Sequence, residues 1–321
     1  MLRKLLIGVC LLLGAGITAL AVGLVWAHVA IRRERAPLPT VDTIAALAQV
    51  QGLPIRLSLI NTATQPMPRS AVLEFSMDPR VTEPYVMSHP AFVLEWADGR
   101  ILLIDTGMTR DGAVAFGRLL ERFAGAQPIQ PLGAAAEQLG MARERVQGVV
   151  FTHLHTDHTG GIGALCAGLQ HRIPVFMTEA QAERPNFTTR PGLALLRDAG
   201  CVQQERLSGG PLMPVKGFPG VAVIAAGGHT PGSQIVIAAV HTDAGIRTYV
   251  FAGDIVNNMD GIIGNIPKPF LYRWFMVPED NARLDELRRF LRTLREANRT
   301  TVLVSHDQRQ LEHSGVPVWQ K

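Results

Sequence analysis

The chain opens on an unbroken apolar run: from Leu5 to Ile31, 27 positions, no side chain is charged. As a single helix that run would be about 40 Å long, against a bilayer hydrocarbon core of about 30 Å. Arg3 and Lys4 flank one end and Arg32, Arg33 and Arg35 the other. Residues 1–35 therefore read as a single-pass membrane anchor with its transmembrane helix at about 5–31. A cleaved signal peptide competes, with Ala19-Leu20-Ala21 as a small-residue site, but the apolar run continues well past it. Basic residues on both flanks leave the orientation to a small imbalance, and a periplasmic catalytic body is the expectation.

Residues 36–50 read as a linker, with prolines at 37 and 39. From 51 to 321 the pattern turns globular. Short β-branched runs bounded by Gly or polar turns predict strands at Ile55–Ile60, Val72–Phe75, Ala91–Trp96, Ile101–Ile104, Val146–Phe151, Val221–Ala225, Ile235–Val240, Arg247–Phe251 and Thr301–Ser305. Ala97-Asp98-Gly99-Arg100 and Thr242-Asp243-Ala244-Gly245 read as hairpin turns. Helices are expected at Ala113–Phe123 and Leu132–Leu139. Leu284, Leu287, Leu291 and Leu294 recur at spacings of three and four, which predicts an amphipathic helix before the last strand. Two successive β-then-α halves make a layered α/β fold.

Polar chemistry gathers where these strands end. His153, His155, Asp157 and His158 crowd into six residues, followed by Gly160-Gly161. They cannot all point one way along a strand or a helix, and converge only if a strand ends near Thr152 and the chain turns before a helix starts. Downstream, His229 follows Val221–Ala225, Asp254 follows Tyr249–Ala252, and His306 follows Thr301–Ser305. Five His and two Asp on strand-end loops suffice for two metal ions with one carboxylate shared between them. Imidazole and carboxylate suit a borderline divalent ion, zinc first among them.

With these residues in view, the chain resembles the metallo-β-lactamase superfamily. The likeness is carried by the HxHxDH run, by Gly228-His229-Thr230-Pro231-Gly232-Ser233, by Phe251-Ala252-Gly253-Asp254 and by Ser305-His306-Asp307, and covers roughly residues 50–313. It implies a four-layer αββα sandwich behind the N-terminal transmembrane helix. It also implies that His153, His155 and His229 hold one metal, that Asp157, His158 and His306 hold the other, and that Asp254 bridges them. Asp105, in Leu103-Ile104-Asp105-Thr106-Gly107, is expected to orient a ligand histidine. Asp157 and Asp254 are the expected catalytic carboxylates. Two bound cations would lower the pKa of a shared water toward neutrality, polarise a carbonyl and stabilise the oxyanion.

Within the superfamily the ligand spread is most like the N-acyl-homoserine lactonase and glyoxalase II-like branch. The bridging Asp254 argues against β-lactamase activity, and His155 against the iron-dependent electron-transfer members. The implied reaction opens an ester or lactone bond by metal-bound hydroxide, with a glyoxalase II-like thioesterase, a phosphodiesterase or a non-catalytic membrane-anchored metal-binding module as alternatives. One departure matters: the lactonases often carry tyrosine three residues beyond the bridging aspartate, where this chain has Asn257. Tyr272 is the candidate substitute.

Composition bears on partners. The formal charge is +4 over 321 residues, but residues 1–35 hold five Lys/Arg and one Glu, leaving 26 basic and 26 acidic residues. A neutral body lacks the electrostatic footprint of a nucleic-acid enzyme, so no nucleic-acid partner is expected. The stretch from Met259 to Met276 is crowded with apolar residues, Phe270 and Trp274 among them. Such a loop is core, meets a membrane, or walls an apolar acyl pocket. Asn257, Phe270, Tyr272 and Trp274 are the expected substrate-binding residues, for a small amphiphilic ester or lactone. Cys166 and Cys201 could pair or stay free.

Overall fold

Alternation within the strands decides the layering. In the computed structural model, which describes residues 2–33 and 35–320, two sheets lie face to face. The first contains β1 (Arg56–Met67), β2 (Tyr85–Glu95), β3 (Ile101–Ile104), β4 (Gln130–Pro131), β5 (Val146–Val150), β6 (Ile173–Met177) and β7 (Val202–Arg206), in the order β4-β1-β2-β3-β5-β6-β7. The second contains β8 (Met213–Pro214), β9 (Val221–Ala225), β10 (Gln234–Thr242), β11 (Gly245–Phe251) and β12 (Thr300–Leu303), in the order β12-β11-β10-β9-β8. Pairing is parallel from β3 through β7 and between β11 and β12, and antiparallel elsewhere.

Leu102 and Ile104 of β3 point inward with Phe92 and Leu94 of β2, and meet Val236, Ala238 and Phe251 of the other sheet. Their neighbours Ile101 and Leu103 point outward, onto the helices Ala135–Leu139, Ile162–Cys166 and Arg190–Asp198. On the second sheet Ala222, Ile224, Ile235 and Ile237 turn outward to Leu284, Leu287 and Leu291 of the helix Asn281–Glu296. The result is helix, sheet, sheet, helix. Both faces of these central strands are thus covered, and each buried large aliphatic contributes about 1.5–3 kcal/mol.

Several stretches differ from the pattern expected, the two-residue strands β4 and β8 among them. Val72–Phe75 is not a strand: a 3₁₀ turn at Arg69–Ala71 delivers Val72 and Leu73 into a small cluster with Met67, Tyr85 and Met87, while Phe75 stays exposed. Three apolar residues without alternation suit a plug as well as a strand. Strands β6 and β7 are additional to those expected, and the side chains of edge strand β7 are mostly outside the core. Residues 36–50, read as a linker, carry helical turns at Val41–Ala45 and Ala46–Gln49 whose Ile44 and Leu47 are buried beside the second sheet.

Cys166 and Cys201 form a disulfide. The N-terminal helix runs from Leu2 to Ile31, and its Leu11–Ile31 stretch is long and apolar enough to cross a membrane. The side chains of Arg3, Lys4 and Cys10 lie outside the described residues. At its far end Ala27, His28 and Ile31 are buried.

Candidate metal centre

All the strand-end loops that carry the clustered His and Asp residues open at one edge of the sandwich. β5 ends at Val150, and His155 then takes an extended conformation as N-cap of a helical turn, Thr156–Thr159. The turn throws Asp157 and His158 back toward His153. It packs on the loop after β3: Thr106 donates from its N–H and its Oγ to the His158 carbonyl, at 2.8 and 3.0 Å. Gly161 is required there, because a Cβ would lie 2.3 Å from the Thr106 carbonyl oxygen. Asp105 itself sits at φ 60°, a left-handed conformation that costs an L-residue energy and is kept only where it is held firmly. Its carboxylate accepts from the Thr152 N–H, the Thr152 hydroxyl and His158 Nδ1, each at 2.8 Å.

Two groups of candidate ligands result, and they share Asp254. His153 Nε2 and His155 Nδ1 are 3.0 Å apart, and His229 Nε2 lies 3.3 Å from the same His155 nitrogen. Asp254 Oδ2 faces this trio, 3.8 Å from His153 and 3.6 Å from His229. On the other side Asp254 lies 3.0 Å from His306 Nε2 and 3.3 Å from His158 Nε2, while Asp157 Oδ2 is 3.4 Å from His306 and 3.6 Å from His158. All seven side chains expected from the sequence therefore converge. His158 Nε2 and Asp254 Oδ1 are buried without a hydrogen-bond partner among the described residues. Nitrogen lone pairs packed this closely, with orphaned acceptors between them, repel unless a cation or a proton intervenes. The N/O donor set fits divalent metal.

Each converging imidazole has its second nitrogen engaged. His158 uses Asp105; His229 Nδ1 donates to Glu279 Oε1 at 2.6 Å; His306 Nδ1 donates to the Ser88 carbonyl at 2.7 Å; His155 Nε2 meets Thr188 Oγ at 2.9 Å; His153 Nδ1 lies 3.3 Å from Thr152 Oγ. Such partners fix the ring orientation and tautomer of a metal-binding histidine. Glu279 also takes the ammonium of buried Lys268 at 2.6 Å, which donates in turn to the Asp254 carbonyl at 2.5 Å. The Tyr85 hydroxyl donates to the carbonyls of Asn257, at 2.7 Å, and His306. His89 in β2 places Nδ1 3.3 Å from Asp157 Oδ2.

The charges sort accordingly. Burial, reinforced by neighbouring imidazoles, holds His153 well below the ordinary histidine value and takes His155 down to about 3. His158 and His306 go the other way: burial opposes their charge, but Asp105, Asp157 and Asp254 around His158, and Asp254 and Asp157 around His306, raise both. Asp157 and Asp254 are held low by these imidazoles despite burial. The imidazoles that are raised are thus the ones beside the carboxylates, and the carboxylates are lowered by them in return.

The expected substrate residues divide. Asn257 is buried and its Oδ1 has no partner among the described residues. Tyr272 is half-buried, and burial together with the charges of Glu279, Asp254 and Asp157 pushes its phenol well above the usual value. Phe270 and Trp274 pair with each other at 5.7 Å between ring centroids, and Trp274 packs on His28 at 4.6 Å. Sequence reasoning missed Glu279, His89, Tyr85 and Ser88. None of them stands at metal-ligand spacing from another ligand, and no local signal marks them.

Comparison with known proteins agrees with this geometry. Residues 84–306 match the family described as the metallo-beta-lactamase superfamily. No protein of curated function matches the sequence. Among solved structures, an N-acyl homoserine lactone hydrolase with N-hexanoyl-L-homoserine bound at its catalytic metal centre is similar over 82% of this chain and 98% of its own, with a TM-score of 0.59 and 18% identity. A point mutant of AiiA from B. thuringiensis, with N-decanoyl-L-homoserine bound at its active site, gives the same coverage and TM-score at 17% identity. The dizinc quorum-quenching lactonase AidC is similar over 80% of this chain and 90% of its own, with a TM-score of 0.52 and 13% identity.

Proposed function

Since the chain belongs to the metallo-beta-lactamase superfamily and is a metal-dependent hydrolase, we propose that it opens the lactone or ester bond of a small amphiphilic substrate at a dinuclear centre. The observation that carries this reading is the sharing of Asp254 between His153, His155 and His229 on one side and His158 and His306 on the other. We assign the first trio to one ion, Asp157, His158 and His306 to the second, and Asp254 to both. Zinc is the first choice for these donors. Such a pair of ions supplies, when bound, a nucleophile at neutral pH and Lewis acidity toward the substrate carbonyl.

The chain's own residues do the rest. Asp157 and Asp254, kept ionised among buried imidazoles, accept hydrogen bonds from an attacking water and hold it in line. Tyr272, whose phenol burial and the charges of Glu279, Asp254 and Asp157 push well above its usual value, keeps its proton at neutral pH, and we assign it the delivery of that proton to the departing alkoxide. Asn257, with a free buried carbonyl oxygen, is the second polar contact for substrate. Phe270 and Trp274 would meet only the distal part of an acyl chain. Support for the lactone comes from the N-acyl-homoserines held at the catalytic centres of proteins with the same fold. A thioesterase acting on an anionic thiol carrier would want a free basic group; Lys268 is already committed to Glu279 and the Asp254 carbonyl, so that alternative rests on Arg273, which meets Glu74 only at 3.8 Å.

We read Leu2–Ile31 as an uncleaved anchor and the catalytic body as periplasmic. The Cys166–Cys201 disulfide supports an oxidising compartment. The test is proton release from a long-chain N-acyl-homoserine lactone by detergent-solubilised full-length protein. Acid production that a chelator abolishes and zinc restores is the expected result. No acid from protein carrying two ions would send the search to thioesters and phosphodiesters.

A further inference from the structure

The helix Leu2–Ile31 does not end in a free tether. His28 donates from Nε2 to the Trp274 carbonyl at 3.1 Å, and Arg35 grips Asp280 with two nitrogens at 2.7–2.9 Å. Arg283 caps the Ala36 carbonyl at 2.8 Å. The end of the apolar helix is thus fastened to both ends of the segment that runs from Trp274 to Asp280. His28 lies one turn before Ile31, about 5 Å along the axis. Trp274 must then lie close to the boundary of whatever hydrocarbon the helix crosses, at the depth where tryptophan is enriched in membrane proteins. Arg32 and Arg33, just beyond, are exposed, as suits residues that would meet headgroups if the helix is anchored.

Around Trp274 the chain makes a π-helical turn, Tyr272–Met276, that spends its apolar residues on the surface. Leu271 is 68% exposed and Phe275 55%, with Phe270 and Met276 also exposed. Water is a poor environment for four neighbouring large apolar side chains. The helix they adjoin has the same character, with Val22, Val25, Trp26 and Val29 exposed along it.

We propose that the turn 270–276 is a second membrane contact, inserted at the headgroup–acyl boundary beside the point where the helix Leu2–Ile31 leaves the bilayer. The occupant of this face is lipid. Insertion of one apolar turn beside an anchor sets the tilt of the body, and a body with fixed tilt holds the metal centre at a constant height above the bilayer. Tyr272 sits on the same turn, so an amphiphile partitioned into the membrane would meet the element that carries the proton donor assigned above. The proposal rests on the anchor reading given above.

The experiment is a depth measurement on the full chain in phosphatidylcholine–phosphatidylglycerol vesicles. Cys10→Ser frees the background while Cys166–Cys201 stays paired, and nitroxides are placed singly through Leu271→Cys, Phe275→Cys, Leu12→Cys and Met141→Cys. Met141 is 87% exposed and precedes β5, at the sandwich edge opposite the metal centre, so it is the water reference. Labels at 271 and 275 should be several-fold more accessible to oxygen than to a water-soluble nickel chelate, the reverse of 141. Labels that behave like 141 overturn the proposal. So does spin–spin broadening at 271 or 275 that disappears on dilution with unlabelled protein, because a second copy would then cover the turn. The label at 12 reports on the anchor separately: lipid-exposed at 12 and water-exposed at 271 and 275 refutes the turn and keeps the anchor.

Discussion

At the candidate metal cluster, every converging imidazole is held from behind by a fixed partner, and all the converging side chains except half-buried His155 are buried. Further along the chain from Asp254, the turn 270–276 does the opposite and leaves Phe270, Leu271, Phe275 and Met276 at the surface. The two regions are nonetheless bound together, since Lys268 and Glu279 at the ends of that segment meet each other, His229 and the Asp254 carbonyl. A reaction that needs a preorganised field can tolerate little motion where charge develops. Recognition of an amphiphile can tolerate much more, and an apolar turn supplies area without fixed geometry.

Breaking the rigid region should have the largest effect. Asp254→Ala removes the carboxylate common to both ligand groups, and turnover should fall by about 10³-fold or more. Metal content by mass spectrometry should drop below two ions; wild-type turnover would refute the shared-ligand centre. Next in size, Tyr272→Phe keeps the ring and deletes the proton, and kcat should fall by about 10²-fold with metal content unchanged. Loss of metal along with activity would make Tyr272 part of the rigid region instead.

Glu279→Gln tests the link between the regions. The substitution leaves Lys268 without its buried counter-charge and weakens the hold on His229. Metal affinity, read by competition with a chromophoric chelator, should fall by about 10–100-fold. pH gives a milder test of the same cluster. His158 and His306 have raised values, so ions must displace protons from them as they bind. Affinity for the second ion should therefore increase as pH rises through those raised values, by up to about tenfold per pH unit for each proton released, and level off above them. A flat profile from about pH 6 to 9 would mean that His158 and His306 carry no protons to displace. Asn257→Ala should matter least, lowering kcat/KM by about tenfold or less through one lost hydrogen bond.

What could be read along the chain was whatever depends on near neighbours. Four ligands in six residues, a strand before them and two glycines after them dictate a local turn, and that turn is present at Thr152–Gly161. The later ligands were legible for a related reason: each follows a short β-branched run, and a strand can only empty into a loop. Ile101–Ile104 and Ile235–Val240 are apolar and buried at every position, so they read as strands by their β-branched and aliphatic content, while the layer each residue faces was set by packing. The plug at Val72–Leu73 and the edge strand β7 were not legible, because neither has an alternation that burial on one face would impose.

The partners that hold the ligands come from the tertiary structure alone. His229 finds Glu279 fifty positions away, His306 finds the Ser88 carbonyl at a separation of 218, and His28 finds Trp274 at 246. A carboxylate or a carbonyl is chemically ordinary wherever it stands in a sequence. It becomes the orienting partner of a histidine only when sheet order brings the two within about 3 Å. The candidate ligand set was therefore written into the order of residues. The orientation of each ring, and the height of the apolar turn beside the anchor helix, follow from packing between segments that local propensity cannot bring together.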